Sequence, residues 1–286
     1  MNKENETKIS GTLYLCATPI GNLEDITYRV LRILKEVDVI ACEDTRNSRK
    51  LFNHFEITTP YTSYHEFNKY EKGIVLIEQL KKGRNIALIS DAGTPGISDP
   101  GEELVAMCIT NGIEVIAAPG AAAFVSAVIL SGMSTKRFAF EGFLPPDKKK
   151  RKNILNDLKN DTHTLIFYEA PHRLQSTLKS LQEAFGNRRV SIAKELTKKY
   201  EAIRYTTIEE ALTYYEENNP RGEYVIVVEG KEIKELKKEE KERWEALTIE
   251  EHMEYYLEDG LDKKGAMKAV AKDRGLSKRD IYKYLL

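Results

Sequence analysis

The sequence predicts an α/β fold: two α/β domains, the first with a mostly parallel sheet and the second with a mixed one, then a small helical domain of helix-turn-helix type. Three observations carry this reading. Through the first half, short apolar runs alternate with amphipathic segments, the rhythm of βα units. In the second half strand-like runs outnumber the helices that could cross over between them, which requires a mixed sheet. The last forty residues show helical periodicity alone.

Taken in order, TLYLCA (12–17) is the first strand, and Val30, Leu31, Ile33 and Leu34 give a helix over 27–36. Strand 37–42 and helix 45–55 follow, then helix 68–82 with Ile74, Val75, Ile77 and Leu80, and strand 85–90 (NIALIS). Helix 101–111, strand 114–118 and helix 120–132 complete the first domain; the last helix is apolar almost all round and is expected to be buried. After strand 137–142 comes FLPPDKKKRKN, whose prolines and five basic residues suggest a boundary or mobile loop. The second domain reads as strand 163–168, helix 171–185, strands 189–194 and 200–206, helix 208–217 and strand 223–229. Residues 231–245 are a solvated linker helix rich in alternating charge. Helices 248–258, 262–274 and 277–285 end the chain, with Gly275 as a stop and Ser277 as an N-cap facing Asp280. The expected organisation is a disordered stretch 1–10, domains 11–134 and 135–230, linker 231–245 and helical domain 246–286.

The totals narrow the function. At 286 residues, with 41% hydrophobic and 31% charged, the chain can bury two cores. A net charge of −1 leaves no global field for nucleic acid, so any such contact needs a local patch. Two patches qualify: Lys148–Lys152 (KKKRK), and the tail from Asp262, where eight Lys and Arg stand against three Asp, a net of +5. Tyr282 and Tyr284 beside Lys283 could stack on bases or form a core face. Cys16, Cys42 and Cys108 form no CxxC pair and read as small buried hydrophobes, so neither zinc nor disulfides are expected. MNKENETKIS has no apolar signal-peptide core and no run is long enough to span a bilayer, so a cytoplasmic chain is expected.

Three loops could hold a ligand. TPIGNLEDIT (18–27) can offer backbone N–H groups near Pro19, Gly21 and Asn22, although with one glycine it is no dinucleotide fingerprint and alone reads as an ordinary loop. Glu43 and Asp44 end the second strand, where an acid can grip a ribose; they could equally be helix N-terminal acids with Thr45 as cap. SDAGTPGISDPG (90–101) is about twice the length a strand-to-helix connection needs. Its glycines let backbone approach a ligand, and Asp91 could accept from hydroxyls or an ammonium. APGAAAFVSA (118–127) leaves space beside Ala121, Ala122 and Ala123. Three such loops on the carboxyl edge of one sheet converge on one crevice.

In this order and spacing GTLYLCATPIGNLEDIT, ACEDTRNS, LISDAGTPGISDPG, APGAAAFVSAVILSGM and FEGFLP resemble the tetrapyrrole-methylase superfamily, over about residues 10–230. Within it the chain resembles most closely the branch that methylates a ribose 2′-oxygen of a decoding-centre cytidine in small-subunit (16S) ribosomal RNA, and the helical tail resembles that branch's extra domain. The resemblance implies S-adenosylmethionine folded into a cleft between the two α/β domains, and a homodimer. It implies that Ser90, Asp91, Ala92, Gly93, Gly96 and Ile97 line the methionine and ribose parts, with Ala122 and Ala123 on the other side. Tyr168 or Glu169, and Leu196, would cover the adenine. The superfamily's glycine-rich first loop and GDP-like turn are altered here, which points from a pigment substrate to RNA.

Methyl transfer from a sulfonium is an in-line displacement that needs no metal, and the protein contributes alignment and desolvation. A ribose hydroxyl is a weak acid, so a base or a cation must help it. Arg46 or Lys194 could hold phosphate or lower the hydroxyl pKa, and Glu43, Asp44 or Glu195 are the acidic candidates; each could instead position substrate or structure. His172 and Arg173 (EAPHRL) cap a helix start near the edge of the second domain and could line the substrate face or serve structure. Competing readings are a methylase of a tetrapyrrole or other small metabolite, and a non-enzymatic RNA-binding assembly factor; a dinucleotide oxidoreductase lacks its glycines.

Overall fold

A computed structural model describes residues 10–284; the expectation for the N-terminal stretch falls on residues 1–9, outside that range. The first sheet has five parallel strands, β1 (Thr12–Cys16), β2 (Val39–Cys42), β3 (Tyr61–Ser63), β4 (Ile86–Ile89) and β5 (Glu114–Ala118), in the order β3-β2-β4-β1-β5. Both faces are covered, which is why β2 and β4 are apolar at every position. Helices α1 (Tyr28–Glu36) and α2 (Thr45–His54) pack one face around Val30, Leu34, Phe52, Cys16 and Cys42. Helices α3 (Lys69–Lys81) and α4 (Glu102–Thr110) pack the other around Leu76, Leu80, Leu104 and Cys108. All three cysteines are buried, as their apolar setting implied.

The second sheet is mixed, in the order β6-β7-β10-β8-β9. Strands β6 (Phe138–Phe143) and β7 (Thr164–Glu169) run parallel; β8 (Arg189–Lys194), β9 (Ala202–Thr207) and β10 (Tyr224–Val228) pair antiparallel. Helix α5 (Ala123–Leu130) lies on one face, sharing a core of Ala127, Val128, Ile166, Ala193 and Val225. Helices α7 (Leu174–Phe185) and α8 (Ile208–Glu217) pack against each other, and α8 starts in a capping box between Thr207 and Glu210.

Four sequence expectations change. Residues 148–152 are not a loop: α6 (Lys148–Leu158) begins there, with the Asp147 carboxylate accepting from Lys150 N at 2.8 Å. Its Arg151 is buried and donates to Ser180 Oγ and to the carbonyls of Pro145 and Pro146, so one member of the basic run holds the fold together. Helix α5 is not buried all round. Ala127 and Val128 face the sheet, but Val125, Ile129 and Leu130 are exposed because no element of the same compact unit covers that side. The cap of α2 is Asp44, whose carboxylate takes the Arg46 N–H, rather than Thr45. Finally, β3 is an additional edge strand of three residues.

The chain divides into two compact units; the first takes residues up to 155 and 164–229, and so holds both sheets. The second takes 156–163 and 230–286, with helices α9 (Ile233–Ala246), α10 (Ile249–Glu258), α11 (Lys263–Asp273) and α12 (Lys278–Tyr284). Its core is Ile249, Met253, Ala266, Val270 and Ile281. Trp244 stacks on the buried His252 at 4.0 Å, and Arg274 donates to His252 Nδ1 and to the carbonyls of Leu247 and Thr248. Arg274 therefore serves the core, although the sequence counts it with the basic tail. Ser277 and Asp280 exchange the expected cap hydrogen bonds. Tyr282 and Tyr284 are exposed.

Candidate active site

Strands β1 and β4 are neighbours, yet the chain leaves β1 towards β2 on one side and leaves β4 towards β5 on the other. Their helices α1 and α4 cover opposite faces, so the loops diverge and open a crevice at the strands' carboxyl ends. Two backbone hydrogen bonds join these loops: Thr18 N to Gly93 O at 2.8 Å and Gly93 N to Thr18 O at 3.1 Å. Gly93 has φ +83°, and a side chain there would come 3.2 Å from Ile20, so the position requires glycine.

Within the first unit this crevice widens into a cleft of about 580 Å³, a volume suited to a small organic ligand. One wall carries three carboxylates, Glu43, Asp91 and Asp99, with the backbone of Ala92 and Gly93. Asp91 is held by Asp44 N at 3.0 Å and Asn47 Nδ2 at 2.9 Å. Burial raises the Glu43 carboxyl above its usual range, with the Asp91 N–H partly offsetting it and the charges of Asp91 and Asp44 adding to it. For Asp99, burial reinforced by the Glu43 charge raises the carboxyl to about 6. Asp99 follows Ser98, whose φ of +62° is a strained turn for a residue with a side chain. Among the described residues no group of His, Cys, Asp or Glu side chains is arranged to hold a metal ion.

The opposite wall is small and apolar. Ala122 and Ala123 open the space, and Tyr168, Leu196, Phe143 and Ala193 enclose it. The Tyr168 hydroxyl accepts from Phe124 N at 3.2 Å, giving α5 the cap its own sequence lacks. Glu169 also borders the cleft but is fully engaged: it pairs with Arg173 Nε at 3.3 Å and takes Thr177 Oγ1 and Ala170 N.

The structure thus brings Glu43, Asp91, Ala92, Gly93, Ile97, Ala122, Ala123, Tyr168, Glu169, Leu196 and His172 to one cleft. Other candidates stand elsewhere. Asn22 caps a single 3-10 turn, and Gly21 packs under Lys198. Pro19, Ser90 and Gly96 are outside the lining, and Ser90 receives the Thr18 hydroxyl on its carbonyl. Asp44 and the exposed Arg46 pair with each other at 3.0 Å, which holds Asp44 below the usual carboxylate range. Glu195 accepts from Glu223 N and pairs with Lys198 in a turn where both it and Thr197 have positive φ. Lys194 lines a different cavity. Asp99 and Ile20 are cleft residues the sequence reading passed over; the signal for Asp99 was its place at the end of the over-long loop.

Residues 12–212 match the family described as Tetrapyrrole (Corrin/Porphyrin) Methylases. The chain belongs to this family. Within it, the methylase aligns almost end to end with proteins named ribosomal RNA small subunit methyltransferase I. That of Halalkalibacterium halodurans is 53% identical over 272 residues, 95% of this chain and 93% of that protein. That of Bacillus subtilis is 49% identical with the same coverage. Among solved structures, uroporphyrin-III-C-methyltransferase from Thermus thermophilus superposes with TM-score 0.55 at 20% identity, over 77% of this methylase and 94% of that chain. Diphthine synthase does so with TM-score 0.60 at 14% identity, over 77% and 90%. At those identities the likeness is one of fold.

Proposed function

We propose that this methyltransferase uses S-adenosylmethionine to methylate small-subunit ribosomal RNA, at the ribose 2′-oxygen of a decoding-centre cytidine. The observation that carries the cofactor assignment is the charge of the cleft. Glu43, Asp91 and Asp99 would repel a dinucleotide's pyrophosphate but favour a ligand bearing a sulfonium and an ammonium. The substrate assignment draws on the names of the relatives at 53% and 49% identity.

Bound in the cleft, S-adenosylmethionine supplies a methyl group made electrophilic by the positive sulfur. The chain's residues do the rest. The backbone of Asp91, Ala92 and Gly93 and the small Ala122 and Ala123 would hold the ligand's length, with Asp91 receiving hydroxyl or ammonium donors. Tyr168 and Leu196 exclude water from its ring. Alignment and desolvation of this kind lower barriers to displacement substantially. Asp99 is the carboxylate best suited to take the proton that a ribose hydroxyl gives up, because its burial makes it a stronger base than an exposed acid. Glu43 beside it is the second candidate.

The tail helices, with exposed Lys264, Lys268 and Tyr282, are proposed to contact RNA, and the exposed face of α5 to meet a second copy in a homodimer. The test mixes the protein, labelled S-adenosylmethionine and small ribosomal subunits from cells lacking this enzyme. Label recovered as 2′-O-methylcytidine at one position supports the assignment. Label in a base, or none in RNA, overturns it.

A further inference from the structure

A second cavity, about 390 Å³, lies in the first unit on the second sheet. Its walls come from β8, β9, the carboxyl end of α8 and the start of β10. Four tyrosines line it, Tyr205, Tyr214, Tyr215 and Tyr224, and the last three cluster. Tyr215 and Tyr224 are buried and meet edge to face at 5.9 Å, and Tyr214 meets Tyr215 at 5.0 Å. The Arg204 guanidinium lies 3.4 Å from the centre of the Tyr214 ring. Lys194, Asn218 and Asn219 complete the polar part of the lining, which contains no carboxylate.

Each of these features has a chemical meaning. An aromatic wall with a stacked guanidinium offers flat surfaces to a base. Two cations with no acid among the lining attract phosphate, and a planar Arg fork matches its oxygens. An amide can pair with a base edge. The combination differs in sign from the acidic cleft next door, so the two cavities select different groups.

The cavities are also adjacent. Tyr224 borders both, and the consecutive residues Ala193 and Lys194 line the cleft and the second cavity respectively. Strand alternation puts those two side chains on opposite faces, so both cavities reach the end of the sheet where β8 stops and β10 begins. A strand of RNA passing that end can touch both.

We propose that the second cavity is a subsite for one unpaired nucleotide of the RNA substrate, near the nucleotide that is methylated, with Arg204 and Lys194 on its phosphate and Tyr214 as its stacking wall. This rests on RNA being the substrate, as argued above. Single-stranded RNA is read in this way, by splayed bases on aromatic and guanidinium planes.

The test compares the full-length wild type with Arg204→Gln, Tyr214→Ala and Tyr214→Phe, using unmethylated small subunits, and measures KM for RNA, KM for S-adenosylmethionine, kcat and the melting midpoint. Tyr214→Ala and Arg204→Gln should each raise the RNA KM about ten-fold or more, as loss of one stacked base does. Tyr214→Phe should keep the wild-type value, and the cofactor KM should not move. Photo-cross-linking with thiouridine-substituted RNA should attach to peptides containing Tyr214 or Asn219. An unchanged RNA KM in both disruptive variants, while the wild type methylates RNA normally, overturns the subsite and leaves the activity standing. A wild type that transfers no methyl to RNA overturns both. Tight binding of cytidine monophosphate alone, lost in Tyr214→Ala without change in RNA KM, would make the cavity a free-nucleotide site and also refute the proposal.

Discussion

Replacing Asp99 by Asn tests the proposed chemistry most directly, because it keeps the shape of the side chain and removes its basicity. With a carboxyl near 6, Asp99 is about 90% ionised at pH 7 and about 9% at pH 5, so wild-type kcat/KM should fall roughly ten-fold between them. Asp99→Asn should lower kcat by about 10²–10⁴-fold and abolish that acidic limb, while calorimetry shows S-adenosylmethionine still binding. Stability should move in the opposite sense. Folding raises this carboxyl from its ordinary 3.8, so the folded state holds the proton more tightly. Stability is therefore favoured below about pH 4, falls as pH rises through 6, and carries the full penalty above it. The shift corresponds to about 3 kcal/mol at most, and partial solvent access reduces it to about 1–2 kcal/mol. Asp99→Asn should raise the urea midpoint at pH 8 and leave it unchanged at pH 4. A variant with wild-type kcat and an intact limb at pH 5 to 7 would refute Asp99 as the proton acceptor and return the role to Glu43.

Three further outcomes are expected. Gly93→Val should lose cofactor binding in calorimetry and destabilise the fold by more than 1 kcal/mol in urea, because it combines a positive φ with contact on Ile20. Arg151→Ala should cost about 2–4 kcal/mol in urea unfolding, since it strands the Pro145 and Pro146 carbonyls and the Ser180 hydroxyl. Combining Lys264→Glu with Lys268→Glu should weaken RNA binding in a filter assay and flatten its dependence on log salt by about 1–2, if both meet phosphate.

The parallel sheet was legible because its strands are buried on both faces and leave continuous apolar runs such as IALI in β4. Edge strand β3 was not, since YTS is short and half exposed and carries no such run. Helix α6 hid behind KKKRK: charge reads as solvent contact, and nothing local shows that Arg151 turns inward to carbonyls that the two prolines leave free. The cleft followed from three loops at one sheet edge, but the exclusion of Gly21 and Arg46 depends on which way each loop turns. Lys194 illustrates the limit. Ala193 beside it reaches the cleft, and the alternation of one strand sends Lys194 to the other side.

The paired hydrogen bonds between Thr18 and Gly93 have a dynamic consequence. They make two loops, seventy-odd residues apart in sequence, into one cooperative latch, since neither amide can exchange with solvent unless both strands of the clasp part. Ligand that rests on Gly93 must therefore slow exchange at Thr18 as well, although Thr18 is outside the cleft lining. Loosening the first loop should likewise speed exchange at the second, so occupancy of the cleft can be followed from a backbone amide that touches no ligand.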